Sequence, residues 1–510
     1  MTDWTNGYVA DVGYTYGYYT ELNPLRSTLA FLNSGLVPPA VGGTHCELGY
    51  GQGLSVNIHA AASGTHWYGT DFNPSQAAFA QTLAAASGAD LQLYDQDFAH
   101  FCSRTDLPEF DSIALHGIWS WISEENRAHI VDFVRRKLKV GGLLYVSYNT
   151  QPGWAAHAPL RHLMTEHAGV IGSVGEGTVS RVEAALQFAQ KLIGTDPLYA
   201  KANTSAGEFL KKIASQDRHY LAHEYFNRDW QPMHFALMAR QLKSAKMDYA
   251  CSAHYMDHLD QININAAQSA LLKEIPDPLF AQTVRDFMVN QQFRKDYWVK
   301  GVRRMHPLHQ REALLQQRVM LTSHRPDIGL TVTGALGEGT LQPDIYGPVL
   351  DLLSDHRPRS IGQIDKSLKA LGTDRLVQAL MVLVGAGHLC AVKDEAVAAQ
   401  TKAQTDKLNS HLMGLARSGA EIAFLASPVS GGGVAVGRFE QLILLARGQG
   451  KKSPQECAQF VWQIVAGQGQ RLIKDGKTLQ SDEENLAELL AQAQRLKDKR
   501  LPILVSLQVV

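Results

Sequence analysis

From about residue 44 the chain alternates short apolar runs with longer stretches of helical periodicity. The run THCELG (44–49) leads into a glycine-rich turn and then into LSVNIHAAAS (54–63), whose apolar positions recur at helical spacing. The order then repeats: WYGTDF (67–72), a helix through QAAFAQTLAAA (76–86), LQLYDQDF (91–98), DSIALHG (111–117), a helix through ENRAHIVDFVRRKL (125–138), and GGLLYVSYN (141–149). Strands of this length alternating with helices predict a parallel sheet covered by helices on both faces. From about 155 to 215 the pattern becomes mostly helical, as in LQFAQKLIGTDPLYAKANTSAGEFLKKIAS, and 218–330 is mixed but largely helical. After the turn-rich TVTGALGEGTLQPD, residues 346–392 read as three helices and the short strand HLCAV, an order that suits a winged-helix-like unit. The last stretch has helices broken by SPVSGGGVAVG.

The predicted fold is therefore α/β at the N-terminus, with a parallel-dominated sheet, followed by a mostly helical middle domain and C-terminal winged-helix-like and α+β units. The expected boundaries are an N-terminal lid segment at 1–40, a ligand-binding domain at 41–155 extending to about 215, a middle domain at 216–335, a winged-helix-like unit at 340–400 and a C-terminal domain at 404–510. The length of 510 residues exceeds what one hydrophobic core supports, which agrees with several units. A net charge of -1 argues against a protein that coats nucleic acid or an anionic membrane. The five cysteines, at 46, 102, 251, 390 and 457, have no metal-like spacing, so no metal site is expected. The N-terminus lacks a basic region followed by an apolar run, and no stretch reaches the ~18 apolar residues of a membrane helix. The expected location is cytoplasmic, without membrane insertion.

The sharpest motif is Glu47-Leu48-Gly49-Tyr50-Gly51-Gln52-Gly53, between an apolar strand and a helix. Gly49, Gly51 and Gly53 let the backbone turn sharply and approach a ligand closely. A dinucleotide site uses a similar turn, but here the spacing is G-x-G-x-G and an acidic residue stands two positions before it. A pyrophosphate is repelled by that carboxylate, whereas a ligand bearing an ammonium and a sulfonium tolerates it. Asp71 ends the next strand, where a carboxylate takes two ribose hydroxyls. Asp97 ends the third strand, where it accepts from an adenine amino group while Phe98 or Phe72 covers a ring face. Asp95 is the alternative to Asp97. The expected ligand is S-adenosylmethionine (SAM), held by Glu47, Gly49, Gly51, Gly53, Asp71, Phe72, Asp97, Phe98, His116 and Tyr19.

The order ELGYGQG, GTDF, DQDF, FDSIALHG and LKVGGLLYVSY resembles the class I SAM-dependent methyltransferases. A second layer is more specific. The segments 116–122 (HGIWSWI), 147–154 (SYNTQPGW) and 218–227 (RHYLAHEYFN) resemble a bacterial subfamily with a methyltransferase regulatory domain after the catalytic domain. The resemblance implies a Rossmann-like catalytic domain, a regulatory role for 216–335 and methyl transfer to a protein lysine. The described relatives act on a rickettsial outer-membrane protein, so a surface or outer-membrane protein is an implied partner.

Transfer from a sulfonium is an in-line displacement, which needs an uncharged nucleophile, alignment and exclusion of water. The acceptor belongs just beyond the fourth strand, at His116-Gly117-Ile118-Trp119. An Asn/Asp-Pro-Pro-aromatic motif, frequent in enzymes that modify nucleic-acid bases, is absent there, and no nucleic-acid partner is expected. Trp119, Trp121, Tyr148 and Trp154 are expected to line an aromatic slot for a lysine stem, with cation–π attraction for the methylated nitrogen. Plain packing is the alternative for Trp119 and Trp154. Tyr8, Tyr14, Tyr16, Tyr18 and Tyr19 crowd the N-terminal segment, and Tyr14 and Tyr19 are expected as lid residues near the sulfonium, with packing as the alternative. The catalytic set is thus Trp119, Trp121, Tyr14 and Tyr148. His219, His223, His254 and His258 read as structural, and the basic run 300–311 as a solvated face. A small-molecule methyltransferase and a SAM-binding regulatory protein without turnover remain as rivals. The long C-terminal part is expected to extend a wall at the acceptor entrance, suiting a large acceptor; the pattern leaves the oligomeric state open.

Overall fold

The computed structural model describes residues 5, 7–9, 11–172, 175 and 177–510. Its largest sheet has seven strands: β1 (Thr44–Leu48), β2 (His66–Asp71), β3 (Leu91–Asp95), β4 (Phe110–Leu115), β5 (Leu138–Asn149), β6 (Met247–Ser252) and β7 (Phe293–Lys300). Their spatial order is β3-β2-β1-β4-β5-β7-β6. The strands from β3 to β5 pair in parallel, and β7 runs antiparallel to both β5 and β6. The chain reverses its strand order at β1 and β4, so a crevice opens at their C-terminal ends, where such sheets bind ligands.

Local signals set the helices. Helix α1 (Pro24–Asn33) is capped by Asn23, and α2 (Leu54–Ser63) follows the glycine turn. Helix α3 (Pro74–Ser87) starts with Asn73 as cap and Pro74 in its first turn, and ends at left-handed Gly88. Helix α4 (Phe98–Ser103) is capped by Asp97, and α5 (Glu124–Lys137) by Ser123. The acids Glu124 and Glu125 open α5 and three bases close it, matching the helix dipole.

The expected α/β architecture with a parallel-dominated sheet holds. The sheet extends past the expected edge of the first domain, however, because β6 and β7 come from the segment 216–335. Strand β7 (FRKDYWVK) looks too charged for an interior strand. Its charges are satisfied internally: Arg294 pairs with Asp296 at 2.9 Å and with Asp286 at 2.5 Å, and Tyr148 Oη donates to Asp296 at 2.7 Å. Buried ions survive only when paired and hydrogen-bonded in this way. Between β5 and β6 lies a helical block that includes 158–170, 178–194, 206–214 and 218–225, with its own core of Trp154, Leu186, Phe209 and Tyr225.

Helices 343–352, 361–367 and 373–385 accompany a small sheet of strands 318–321, 359–360 and 389–391. They share a core with Leu29, Phe31 and Tyr297. The long helix Glu395–Leu415 packs on α2 and α3. Leu54, Ile58, Ala61 and Leu83 therefore join one core with Leu408, Leu412, Leu425 and Leu442. Helix α2 is buried over nine of its ten residues, and its polar side chains Ser55, Asn57 and His59 are hydrogen-bonded within the fold.

The segment from Asp11 to Asn23 threads between these units. Asn23 Nδ2 donates to the Ser430 carbonyl at 2.9 Å, and Glu21 pairs with Lys295 at 2.7 Å. The glycine-rich stretch of the tail is not a free loop: Gly432–Ala435 pairs with Phe424–Ser427, and the Tyr18 ring lies where side chains on Gly432 and Gly433 would stand. A Cβ at Gly432 would meet Tyr18 Oη at 2.3 Å. Gly432→Val should therefore displace Tyr18 and lower stability by about 1–3 kcal/mol, the range for overpacking. Urea denaturation reads this; an unchanged midpoint would mean that Tyr18 swings away without cost.

Candidate active site

Gly49, Gly51 and Gly53 all have positive φ, at +71°, +59° and +71°. Glycine adopts this conformation readily, and most residues pay for it. Each also lacks room for a side chain: a Cβ would lie 2.4 Å from Ile118 Cδ1 at Gly49, 3.2 Å from the Tyr14 ring at Gly51 and 2.4 Å from Ala80 Cβ at Gly53. The turn ties directly to Asp71. Gly51 N–H donates to Asp71 Oδ2 at 2.9 Å, and Asn73 N–H donates to Oδ1 at 3.0 Å. Burial pushes the Asp71 carboxyl up to about 6, against those backbone donors.

A cavity of about 350 Å³ opens over this turn. The sequence-predicted residues on its wall are Gly49, Gly51, Gly53, Asp71, Phe72, Asp97, Phe98, His116, Tyr14, Tyr19 and Trp121. Asp97 reaches the wall while capping α4, its Oδ1 accepting from His100 N–H at 2.8 Å. Its alternative, Asp95, is exposed and off the wall. Glu47 is off the wall too. It sits beneath the turn, 1% exposed, with Oε2 unpartnered, and burial, reinforced by Asp71, pushes its carboxyl up to about 8.

The N-terminal segment forms the roof. The Tyr19 ring stacks on His116 with centroids 3.6 Å apart, and His116 Nδ1 bonds the Tyr145 hydroxyl at 2.8 Å. Burial pushes His116 down to about 3, so the imidazole is neutral near pH 7 and stacks without a desolvated charge. The Tyr19 backbone is held by His59 Nε2, 3.0 Å from its carbonyl, and by Ser55 Oγ. Tyr14 meets His223 edge-on at 4.9 Å, and Tyr8 meets Phe72 at 5.5 Å. His223 Nε2 donates to the Val12 carbonyl at 3.0 Å, a structural role.

A second cavity of about 560 Å³ lies on the other side of this roof. Tyr14, Tyr19, His116, Gly117 and Trp121 border both cavities. The second is lined further by Asn149, Trp154, Phe209, Tyr220, Glu224, Tyr225 and Phe293. Trp121 Nε1 donates to the Glu224 carbonyl at 3.0 Å, locking the turn after β4 to the helix Arg218–Tyr225. Burial pushes the Glu224 carboxyl up to about 7, opposed only by the neighbouring Asn149 amide.

Trp121 and Trp154 thus reach the second cavity, whereas Trp119 and Tyr148 do not. Trp119 is fully buried in the core beneath the sheet with Phe110, Phe133 and Trp298. Residues two apart in its short helical turn, Trp119–Trp121, point to different sides. Tyr148 faces away because side chains alternate along a strand. Tyr145, Ser147 and Asn149 of β5 face the site: they bond His116, accept from Gly117 N–H at 2.8 Å and line the second cavity, respectively. That same alternation was the available signal for Asn149. For Glu224 the only signal was the resemblance of the segment 218–227 that contains it, since no periodicity brings residue 224 to the end of β4. The C-terminal units do not extend the wall as expected; no residue beyond 295 borders either cavity.

Residues 46–146 match a family model described as a methyltransferase domain, and residues 217–300 match one described as a predicted methyltransferase regulatory domain. The chain is 40% identical over 512 residues, 99% of each chain, to a Synechocystis protein named "Uncharacterized protein sll1526". It is 26% identical over 292 residues to "Uncharacterized protein RP789" of Rickettsia prowazekii, covering 56% of this chain and 51% of that one. Its fold is similar to that of PKMT2 from Rickettsia typhi in complex with AdoHcy, with a TM-score of 0.69 and 17% identity over 94% of this chain and 98% of that one.

The buried acids generate a pH dependence. The folded pKa of Glu47 is raised, so folding favours its protonated form. Its contribution is complete below the unfolded value of ~4.3 and is lost as pH rises through about 8. Asp71 acts in the same direction up to about 6. Stability of the unliganded protein should therefore fall from about pH 5 to about pH 8, and Glu47→Gln should flatten the upper part of that fall. Urea denaturation across this range checks it; identical pH profiles for the two proteins would place Glu47 in contact with water.

Proposed function

The chain belongs to the SAM-dependent methyltransferases that carry a methyltransferase regulatory domain, and from that premise we propose that it methylates an amine, the side-chain nitrogen of a protein lysine. SAM is the cofactor, and it supplies an activated methyl group on a sulfonium. The residues present suit it. The cavity volume lies in the range of small-molecule sites, and its wall offers glycine amides, the carboxylates of Asp71 and Asp97 and two phenylalanine rings. In this reading Asp71 takes the ribose hydroxyls and Asp97 the adenine amino group. Phe72 and Phe98 cover the rings, and Tyr14 and Tyr19 close over the sulfonium. His116 fixes Tyr19 by stacking. Glu47 acts from beneath rather than as a direct contact, and the ligand's positive end would favour its ionised form.

One observation carries the choice of acceptor: a second, aromatic cavity meets the cofactor cavity along a common wall, with Trp121 on both sides. Such a chamber packs an aliphatic lysine stem against Trp121 and Trp154 and excludes water around the nitrogen. The methylated cation gains from the same rings. The segment 216–335 supplies one wall of that chamber through its helix Arg218–Tyr225 and the start of β7, which suits a role in acceptor recognition. The five cysteines are all unpaired thiols, which suits a reducing compartment such as the cytoplasm.

Full-length protein incubated with labelled SAM and a cell lysate should place label on lysine, read by mass spectrometry of tryptic peptides. Label confined to the small-molecule fraction would sink the protein-lysine reading, and no label anywhere would leave a SAM-binding protein without turnover. Trp121→Ala should leave SAM affinity nearly unchanged and lower turnover, because alignment is lost. Trp119→Ala should instead cost stability, about 3–5 kcal/mol for a large core aromatic, with kinetics per folded molecule little altered.

A further inference from the structure

The second cavity contains one acidic group that no cation among the described residues neutralises. Glu224 lines it, and no cation contributes to its electrostatic surroundings; burial alone raises it. The side chain of Asn149 is beside it, 2% exposed, and Asn149 Nδ2 completes no hydrogen bond of good geometry. The Glu224 carboxyl thus has the Asn149 amide as its neighbour and no cation, and a buried amide donor without a well-formed hydrogen bond is costly unless something polar completes the site. The nearby cations are engaged or remote: Lys295 is paired to Glu21 at 2.7 Å, and Lys212 is exposed at the rim. The other groups around Glu224 are hydroxyls and imidazoles. Tyr8 and Tyr14 come from the roof, Tyr220, His223 and Tyr225 from its own helix, and neutral His116 from the end of β4. Burial raises the hydroxyls of Tyr14 and Tyr8, the charge of Glu224 adds to the rise in both, and both residues border the two cavities. The carboxylate therefore stands near the boundary with the cofactor.

We propose that Glu224, with Asn149 beside it, holds the ammonium of the acceptor amine in this cavity and takes its proton before methyl transfer. This inference rests on the amine reading above. An alkylammonium has a reference pKa of ~10.4 and carries no lone pair at neutral pH, so it cannot attack a methyl group until one proton leaves. An aromatic chamber lowers that pKa while it raises that of Glu224, bringing the two together. The proton passes from nitrogen to the carboxylate, giving a neutral amine and a carboxylic acid. The nitrogen lone pair then forms the N–CH₃ bond as the C–S bond breaks, and the sulfur keeps the bonding pair and becomes a neutral thioether. The product is a secondary ammonium, and the Glu224 proton goes to water when the product leaves.

The full-length protein, loaded with S-adenosylhomocysteine, is titrated with n-butylammonium by calorimetry, and its turnover on a lysine-containing peptide is measured against pH. Glu224→Gln should bind S-adenosylhomocysteine as wild type does, but bind n-butylammonium at least ~10-fold more weakly, the loss expected when a charge-assisted hydrogen bond goes. Its turnover near neutrality should drop by ~10²-fold or more and climb about tenfold per pH unit toward pH ~10 as free amine appears, whereas wild type levels off above about pH 7. Wild-type ammonium affinity or a wild-type pH profile in Glu224→Gln would overturn the proposal. If Glu224→Gln fails to fold, Glu224→Asp, which keeps the charge, carries the test: lower turnover with the wild-type pH dependence supports it, and a tenfold-per-unit climb overturns it. Wild type that binds n-butylammonium through Glu224 yet methylates no lysine peptide would remove the lysine reading and leave the amine site standing.

Discussion

The stack of Tyr19 on a neutral His116 is the contact on which the site depends. It joins the N-terminal segment to the end of β4 at the boundary between the two cavities. His116 is held from behind by Tyr145, and Tyr19 is held through its backbone by His59 and Ser55. Gly51 then leaves just enough space for Tyr14 to lie on the glycine turn. The segment is thus a partition as well as a lid. A methyl group passing between two ligands needs such a partition, one that excludes water and keeps the reacting atoms in line.

Burial of acids is the second constraint. Glu47, Asp71 and Glu224 are all raised by desolvation, and no basic residue offsets them. Other buried acids are paired with a base, as Asp286 and Asp296 with Arg294 or Glu21 with Lys295. The contrast sets these three acids apart from those that have a base beside them. The cofactor brings an ammonium and a sulfonium, and the amine acceptor proposed above would bring a second positive charge from the other side.

The C-terminal units support the site at a distance. They border neither cavity, yet Tyr18 fits over Gly432 and Gly433, and Asn23 bonds the Ser430 carbonyl. The helix Glu395–Leu415 covers α2, the helix that follows the glycine turn. Their packing therefore fixes both ends of the partition: the turn from below, and the stretch from Tyr18 to Asn23 from the side.

The residue pattern alone determined the alternating strands and helices, the glycine turn and the carboxylates at Asp71 and Asp97, because each depends on local spacing within one strand–turn–helix unit. Backbone conformation at Gly49, Gly51 and Gly53 and the end of β2 follow from neighbours in sequence. The tertiary structure decided everything that needs distant segments to meet. Strand β7 hides its interior place behind Arg294 and Asp296, whose charges meet each other and Asp286 of a preceding helix only when folded. Which tryptophan reaches the second cavity depends on how a short turn packs, so Trp121 lines it while Trp119 fills the core. Glu224 becomes part of the site only because a helix some 75 residues beyond β5 folds back against the turn after β4. Long-range packing of this kind leaves no periodicity in the chain, and a lone glutamate in a helix looks the same whether it faces water or a buried chamber.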